Sequence, residues 1–286
     1  MLKRTRTTVA AGLAAATVLV VAPLALAANG GSPSVPPRTA SGLLADGRLV
    51  TFNTRSAAST RLVAAVTGLT GDSRLVGIDY RAKDGLLYGL GEKGGIYTLD
   101  GGTGAATFVA RLTVTLSGTY FGVDFNPAAD AMRIISDTGQ NLRHPFAAGA
   151  ATATTVVDGG LSYTGVAAGG VTGAGYTNND NDPSTPTQLF DVDTLKNQVA
   201  LQLPPNSGSL NVTGPLPVDV GARAGFDIVT TLDDSGRAVD NHALATVLVD
   251  RRYHLYQVDV LSGGLLDLGG FRNGQQVVDL AVPTGR

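Results

Sequence analysis

The chain has 286 residues, 21 basic and 23 acidic, a formal net charge of −2, and neither cysteine nor tryptophan. An acidic balance disfavours nucleic acid and anionic lipid as partners, and the missing cysteines exclude a disulfide framework, so a buried core must hold the fold. The length is ample for one large domain.

Met1 to Arg6 carries Lys3, Arg4 and Arg6, followed by an Ala/Val/Leu run from Val9 to Val21 and then Ala25-Leu26-Ala27. A basic start, an apolar centre and small residues at a cut site predict a signal peptide over residues 1–28, cleaved after Ala27 or Ala28. The competing reading is an uncleaved anchor, since the run is nearly long enough to span a bilayer. Cleavage removes three basic residues and no acidic one, leaving a mature chain of about −5. The expected address is therefore extracellular, by the general secretory route, with no stable membrane insertion afterwards. Residues 29–40, NGGSPSVPPRTA, have almost nothing to bury and predict a flexible tether.

From Ser41 onward no segment keeps a helical period, and 38 glycines punctuate short apolar runs, which is an all-β pattern. The stretch from Val76 to Arg111 holds four such runs, Val76-Tyr80, Leu86-Leu90, Ile96-Leu99 and Ala106-Ala110, separated by Lys-Asp-Gly, Glu-Lys-Gly-Gly and Gly-Gly-Thr-Gly. These read as a four-stranded antiparallel meander. Its first strand, Gly77-Ile78-Asp79-Tyr80, recurs at Gly122-Phe125, Gly173-Tyr176, Gly225-Ile228 and Val277-Leu280, in steps of 45, 51, 52 and 52 residues. Its third strand is expected to recur at Leu49-Phe52, Asn141-Arg143, Leu189-Val192 and Leu255-Val258. A period near 50 with four strands per unit is the signature of propeller blades.

Three strand-like runs precede the first complete unit, and one orphan run, Gln276-Val282, comes after the last. One strand plus three makes a blade, so strand 276–282 is expected to complete the N-terminal blade and close the ring. The prediction is a five-bladed β-propeller over residues 41–286. Six blades is the alternative count, because Asn178-Thr187 stands where the third full unit should have its second strand; a sandwich or solenoid is the alternative architecture.

The succession Gly-Ile-Asp-Tyr, Leu-Leu-Tyr-Gly-Leu-Gly, Ile-Tyr-Thr-Leu-Asp, then Gly-Val-Asp-Phe-Asn-Pro and Ser136-Asp137-Thr138-Gly139-Gln140-Asn141-Leu142-Arg143 resembles the bacterial secreted family called domain of unknown function 4394. Gly175-Asn179, Leu189-Asp193 and Pro204-Asn211 fit it as well. The resemblance runs from Leu43 to Pro283 and implies an exported, propeller-like protein, with no catalytic residue to carry over.

Asp79, Asp124, Asp227 and Asp279 share one position in four innermost strands, with Gly175 in the fifth. Innermost strands surround a propeller axis, so these carboxylates should form a partial axial ring. Its functional reading is a hard cation, Ca2+ first; its structural reading is a set of acceptors for backbone N–H groups of the neighbouring blade, and that is the favoured one. Asp180 and Asp182, in the Asn178-Asp182 cluster, are a second and weaker set of calcium candidates, since the EF-hand spacing is absent. Gly89-Leu-Gly-Glu-Lys-Gly94 matches a dinucleotide fingerprint but precedes a strand, so it reads as a hairpin. His144, His242 and His254 form no ligand pair and read as surface or turn residues. Tyr120, Tyr163, Tyr176 and Phe146 leave sugar stacking open.

Two functions are compatible with these features. The first is a noncatalytic binding scaffold, monomeric, for an extracellular small molecule, glycan or protein. The alternative is a calcium-dependent propeller hydrolase or lyase with an axial carboxylate site. Fold does not separate them, because propellers host both.

Overall fold

Short apolar runs that bury one face each can satisfy their backbone only by pairing, and tight glycine turns make the nearest partner the next run in sequence. The computed structural model, which describes residues 32–284, shows this outcome repeated five times. Blade 1 is ordered Val277–Ala281, Thr39–Leu44, Arg48–Asn53 and Ser56–Ala65 from the axis outward. Blade 2 is Leu75–Tyr80, Leu87–Gly91, Gly95–Leu99 and Ala106–Arg111, and blade 3 is Phe121–Asn126, Ala131–Ser136, Asn141–Pro145 and Val156–Val157. Blade 4 is Val171–Tyr176, Leu189–Asp193, Gln198–Gln202 and Leu210–Pro215. Blade 5 is Ala224–Leu232, Ala238–Val249, Arg252–Val258 and Leu265–Gly270.

All pairings within the blades are antiparallel, and the five innermost strands contact one another in cyclic order. The C-terminal strand pairs with the first N-terminal one, Ser41 opposite Ala281 and Leu43 opposite Asp279, so the ring closes between the chain's two ends as expected. The leader expected at residues 1–28 lies outside the described residues. Within the stretch expected as a tether, Val35 is fully buried and the Ser34 and Val35 N–H groups donate to Gln257 Oε1 of blade 5, at 3.0 and 3.1 Å.

One alignment is corrected. Leu189–Asp193 is the second strand of blade 4, not the third, and Gln198–Gln202 is the third. The Leu-Phe-Asp-Val-Asp segment looks like a third strand because it comes after a long polar loop. That loop, residues 177–188, merely replaces the tight turn between the first two strands, so the blade is complete and the count is five.

A blade has two apolar faces and cannot cover either alone. The hydrophobic core accordingly falls into five clusters, one at each junction between neighbouring blades. Leu43, Leu49 and Ala281 meet Leu75, Ile78 and Tyr97 between blades 1 and 2, and Tyr88, Leu90 and Ile96 meet Phe125, Met132 and Phe146 between blades 2 and 3. Ile135 meets Ala174, Tyr176 and Leu189 between blades 3 and 4; Phe190 and Val192 meet Phe226 and Ala245 between blades 4 and 5; Val229 and Leu255 meet Phe52 and Val277 at the closing junction. Closing the ring buries both faces of every blade, which no open arrangement of the same sheets achieves.

Candidate functional site

The repeated Gly-x-Asp of the innermost strands has two separate physical jobs. The glycine lets the next strand come close: a methyl group on Gly122 would lie 2.8 Å from the Ala174 nitrogen, and one on Gly225 would lie 2.6 Å from Asp279 Cα. The aspartate then reaches across that close approach. Asp279 Oδ2 accepts from the Ile78 N–H of blade 2 at 2.8 Å, and Asp79 Oδ2 accepts from Phe125 of blade 3 at 2.7 Å. Asp124 Oδ1 accepts from Tyr176 of blade 4 at 3.1 Å, and Asp227 Oδ2 accepts from Val282, just beyond the inner strand of blade 1, at 2.6 Å. Four of five junctions are latched in one direction around the ring.

The fifth junction shows why Gly175 breaks the series. A methyl group there would press on Ile228 and Phe226 of blade 5, both at 3.1 Å, so an aspartate has no room. Thr172 of the same strand takes over, its Oγ1 accepting from the Ala224 N–H at 3.2 Å.

Three of the four carboxylates, Asp79, Asp124 and Asp227, come together, and Asp279 is buried but is not one of that close group. All four are buried, and one oxygen from each of Asp79, Asp124 and Asp227 lies within 4.8 Å of the others. Burial and neighbouring negative charge both resist ionisation. Burial first, then Asp227, pushes Asp79 well above the ordinary carboxylate value; burial first, then Asp79, does the same to Asp124. Burial raises Asp227 to about 6 and Asp279 to about 7, against backbone donors and the attraction of Arg38 and Arg223 respectively.

Asp180 and Asp182 are not drawn into this ring. Asp180 accepts from Asp182 N–H, Thr185 Oγ1 and Ala238 N–H, and Asp182 Oδ1 accepts from the N–H and hydroxyl of Ser184. Their loop does something the sequence did not announce. Asn178 and Asn179 bind blade 5 through Asn241, Thr230 and Ile228, while Asn181 Nδ2 donates to Ala82 O of blade 2 at 2.7 Å. Blades 2 and 4 are not neighbours, so the loop crosses the axis at the end where the innermost strands finish.

His144 is corrected from a surface residue to a core one: it is fully buried, with Nδ1 3.0 Å from Thr155 Oγ1 and Nε2 3.0 Å from Ala150 O. Burial lowers its basicity, consistent with a neutral ring. His242 and His254 pair separately with Asp240 and Asp267. The Gly89–Gly94 segment is the expected hairpin, closed by Gly94 N–H to Gly91 O at 2.9 Å.

Two buried polar groups escaped sequence reasoning. Arg133, only 1% exposed, sits between blades 3 and 4 and donates to Asn141 and Asp158, each at 2.7 Å, to Asn206 at 2.8 Å and to Tyr176 OH at 3.2 Å. This gives the Asn141 and Pro204-Asn211 motifs their purpose, since the 3₁₀ turn Pro205–Ser207 presents Asn206 to the guanidinium. Asp191 of blade 4 is fully buried with no hydrogen-bond partner for either oxygen, and burial holds its carboxyl well above the ordinary value against the pull of Arg133.

The other end of the axis, where the innermost strands begin, is lined differently. The residue just before each innermost strand is Arg74, Tyr120, Gly170, Arg223 and Gln276 in blades 2, 3, 4, 5 and 1. Arg223 Nη2 reaches Val76 O of blade 2 at 3.2 Å, passing over the inner strand of blade 1. Beside it a cavity of about 530 Å³ is lined by Tyr120, Asp137, Thr194, Leu195, Asp219 and Ala222, among others. Unlike residues therefore gather at this mouth, whereas the axis below it is repetitive.

The geometry defines the class: a closed five-bladed propeller latched by axial aspartates, with an asymmetric mouth at the start of its inner strands. The chain belongs to the family described as domain of unknown function DUF4394, which matches residues 48–281. No curated protein matches it. Among solved structures it is similar to a structural genomics protein of unknown function from Bacteroides thetaiotaomicron, at 13% identity and TM-score 0.47, covering 88% of this chain and 66% of that one. It is similar also to the computationally designed Ika8 protein, at 12% identity and TM-score 0.36, covering 86% and 63%. An auxiliary nutrient binding protein from Bacteroides ovatus is matched at 12% identity and TM-score 0.42, covering 81% and 58%. The chain thus spans less than two thirds of the length of each of these structures.

Proposed function

We propose that this chain is an exported, noncatalytic binding scaffold whose ligand docks at the mouth formed by Arg74, Tyr120 and Arg223. The observation that carries this is the contrast between the two parts of the axis. The repeated aspartates are engaged in joining blades, while the unlike residues at the mouth keep unused polar atoms beside a cavity. Among the described residues the Tyr120 hydroxyl has no hydrogen-bond partner, and Arg223 makes a single side-chain hydrogen bond. Ligand sites commonly take this form, a concave surface with a few convergent polar groups on a rigid frame.

The test is a broad screen of glycans, small metabolites and peptides against isotopically labelled protein. Binders are expected to shift resonances of Tyr120 and its neighbours at the start of the inner strands. If every binder maps elsewhere, or none is found, the scaffold reading of this mouth fails.

A second reading is a hard cation on the axis, favoured by the gathering of Asp79, Asp124 and Asp227 oxygens within 4.8 Å. Oxygen donors of this type suit calcium, and a bound cation would relieve their mutual repulsion and supply the Lewis acid of the hydrolase or lyase alternative. The backbone donors compete for the same carboxylates, with both oxygens of Asp79 already accepting N–H groups. Under this reading, millimolar calcium raises the melting temperature of the intact protein by several degrees, as binding to the native state alone requires. Asp124→Asn, which can still accept from Tyr176 N–H, should abolish that rise. An unchanged melting temperature in the parent protein would remove the cation.

A further inference from the structure

Resting on the scaffold reading above, we infer that the mouth selects the carboxylate of a uronic-acid-bearing glycan, with Arg223 as its anchor. The guanidinium lies across the axis, held by one bond from Nη2 to Val76 O, and its Nε and Nη1 have no partner among the described residues. The buried Asp279 attracts it, but among the described residues no carboxylate is close enough to form an ion pair with it, and the Arg74 side chain at the equivalent position of blade 2 has none either. A half-buried arginine with open donors is matched by a planar anion that takes two parallel N–H bonds, which a carboxylate does and a neutral hydroxyl does not.

The surroundings agree on the same occupant. Tyr120 of blade 3 lines the cavity, and the Tyr253 N–H is fixed by Gln276 at the start of the blade 1 inner strand. Burial raises the Tyr253 phenol, Arg223 opposes the rise and Tyr120 adds to it, so the three groups lie within electrostatic reach of one another. Tyrosine rings stack on sugar faces, and their hydroxyls donate to a carboxylate.

The cavity itself, which lies beside the arginines and is lined by neither, is acidic and apolar. Asp137 and Asp219 each use Oδ1 internally, on Thr119 N–H and Asn197 Nδ2, leaving Oδ2 without a partner among the described residues. Leu195 on the same rim is 72% exposed. Unused carboxylate oxygens accept sugar hydroxyls, and they repel an anion, so they orient the ligand with its carboxylate toward Arg223 and its hydroxyls toward the cavity. A free carboxylate too small to bridge the two regions would gain only half of these contacts.

The probes are oligogalacturonate, hyaluronan and alginate oligosaccharides, each paired with its carboxyl methyl ester, and neutral maltotetraose, measured by calorimetry on the full chain. At least one uronate is expected to bind, its methyl ester roughly tenfold or more weaker, the loss of a charge-assisted bidentate contact. Arg223→Gln should remove the same factor and erase the difference between acid and ester, and Arg223→Lys should restore part of it. Thermal unfolding of each variant within a few degrees of the parent shows that folding is not the cause. Equal affinity for acid and ester, or an Arg223→Gln protein that binds a uronate unchanged, overturns the inference. Maltotetraose binding that Tyr120→Ala abolishes and Arg223→Gln spares also overturns it, yet keeps the scaffold reading. Silence toward every saccharide overturns it too, and leaves the scaffold reading to be judged by the broader screen.

Discussion

Arg133→Met is expected to destabilise the protein by about 3–5 kcal/mol, the cost of removing one partner from a buried ion pair and stranding the rest. The guanidinium is the hub of the junction between blades 3 and 4, bonded to Asn141, Asp158, Asn206 and Tyr176. Its removal deprives Asp158 of its buried partner and takes away the one positive charge that opposes the rise at Asp191. For a domain of this size the loss corresponds to a fall in melting temperature of roughly 10 °C. Arg143 supplies the control. It pairs with the same Asp158 at 3.0 Å, yet its side chain is 29% exposed against 2% for Arg133. Water can replace it, and Arg143→Met should cost no more than about 1 kcal/mol. Urea unfolding of the two variants decides the matter: comparable losses would mean that the buried network does not hold this junction.

Metal-free protein is expected to lose stability as the pH rises from 5 to 8, opposite in direction to ordinary acid unfolding. The ordinary carboxyl value is 3.8, and the native values of Asp227 and Asp279 are raised to about 6 and about 7. Between these limits the native state holds protons that the unfolded chain has released. The associated stability is fully present below about pH 4 and is lost as the pH climbs through 6 and 7. Taking these two groups alone, the loss between pH 5 and pH 8 is on the order of 4 kcal/mol. Asp79 and Asp124, also raised well above the ordinary value, act in the same direction.

Carboxylates held below their ordinary value, such as Glu92 at about 2, contribute the opposite slope only in more acid solution, so the two effects occupy separate windows. Chemical unfolding at pH 5, 6, 7 and 8 in a chelating buffer measures the slope. Stability that stays flat or increases across this range would show that the axial carboxylates ionise freely, as they would with a cation already bound. Adding calcium should then flatten the slope if the axis takes a cation, and leave it untouched if the aspartates serve only as latches.

Architecture was legible because it repeats. The inner strand returns every 45 to 52 residues, as Gly-x-Asp in three of five copies, with Gly175 replacing the aspartate in one and Val277 the glycine in another. Most copies face the same physical demand, close approach of the next strand together with an acceptor for its N–H. The closing of the N-terminal blade by strand 276–282 was legible for the same reason, one missing strand at one end and one spare at the other, though the register of Leu43 opposite Asp279 was not. The strand Leu189–Asp193 was misplaced because blade 4 replaces a tight turn with a loop, and local pattern carries no information about how far a loop displaces the next strand. Asp79, Asp124, Asp227 and Asp279 could be grouped from their register alone, but their engagement with Ile78, Phe125, Tyr176 and Val282 depends on which atoms the neighbouring blade presents.

The residues at the mouth had no such signature. Arg74, Tyr120, Gly170, Arg223 and Gln276 occupy one structural position, yet they are of four types, and the two arginines lie 149 positions apart in sequence. Nothing in periodicity can gather unlike residues. Arg133 and Asp191 were hidden for a related reason: each sits in a strand where charge ordinarily marks the exposed face, and only the facing blade makes that position interior.

The sequence by itself determined the unit and the way the first and last strands meet, since these depend on local strand and turn chemistry and on counting; the choice of five copies over six waited on the placement of the 177–188 loop. The tertiary structure alone decided which polar groups are consumed in joining blades and which keep donors or acceptors unused. That division depends on contacts between strands remote in sequence, and it is the ring's closure that brings them within bonding distance.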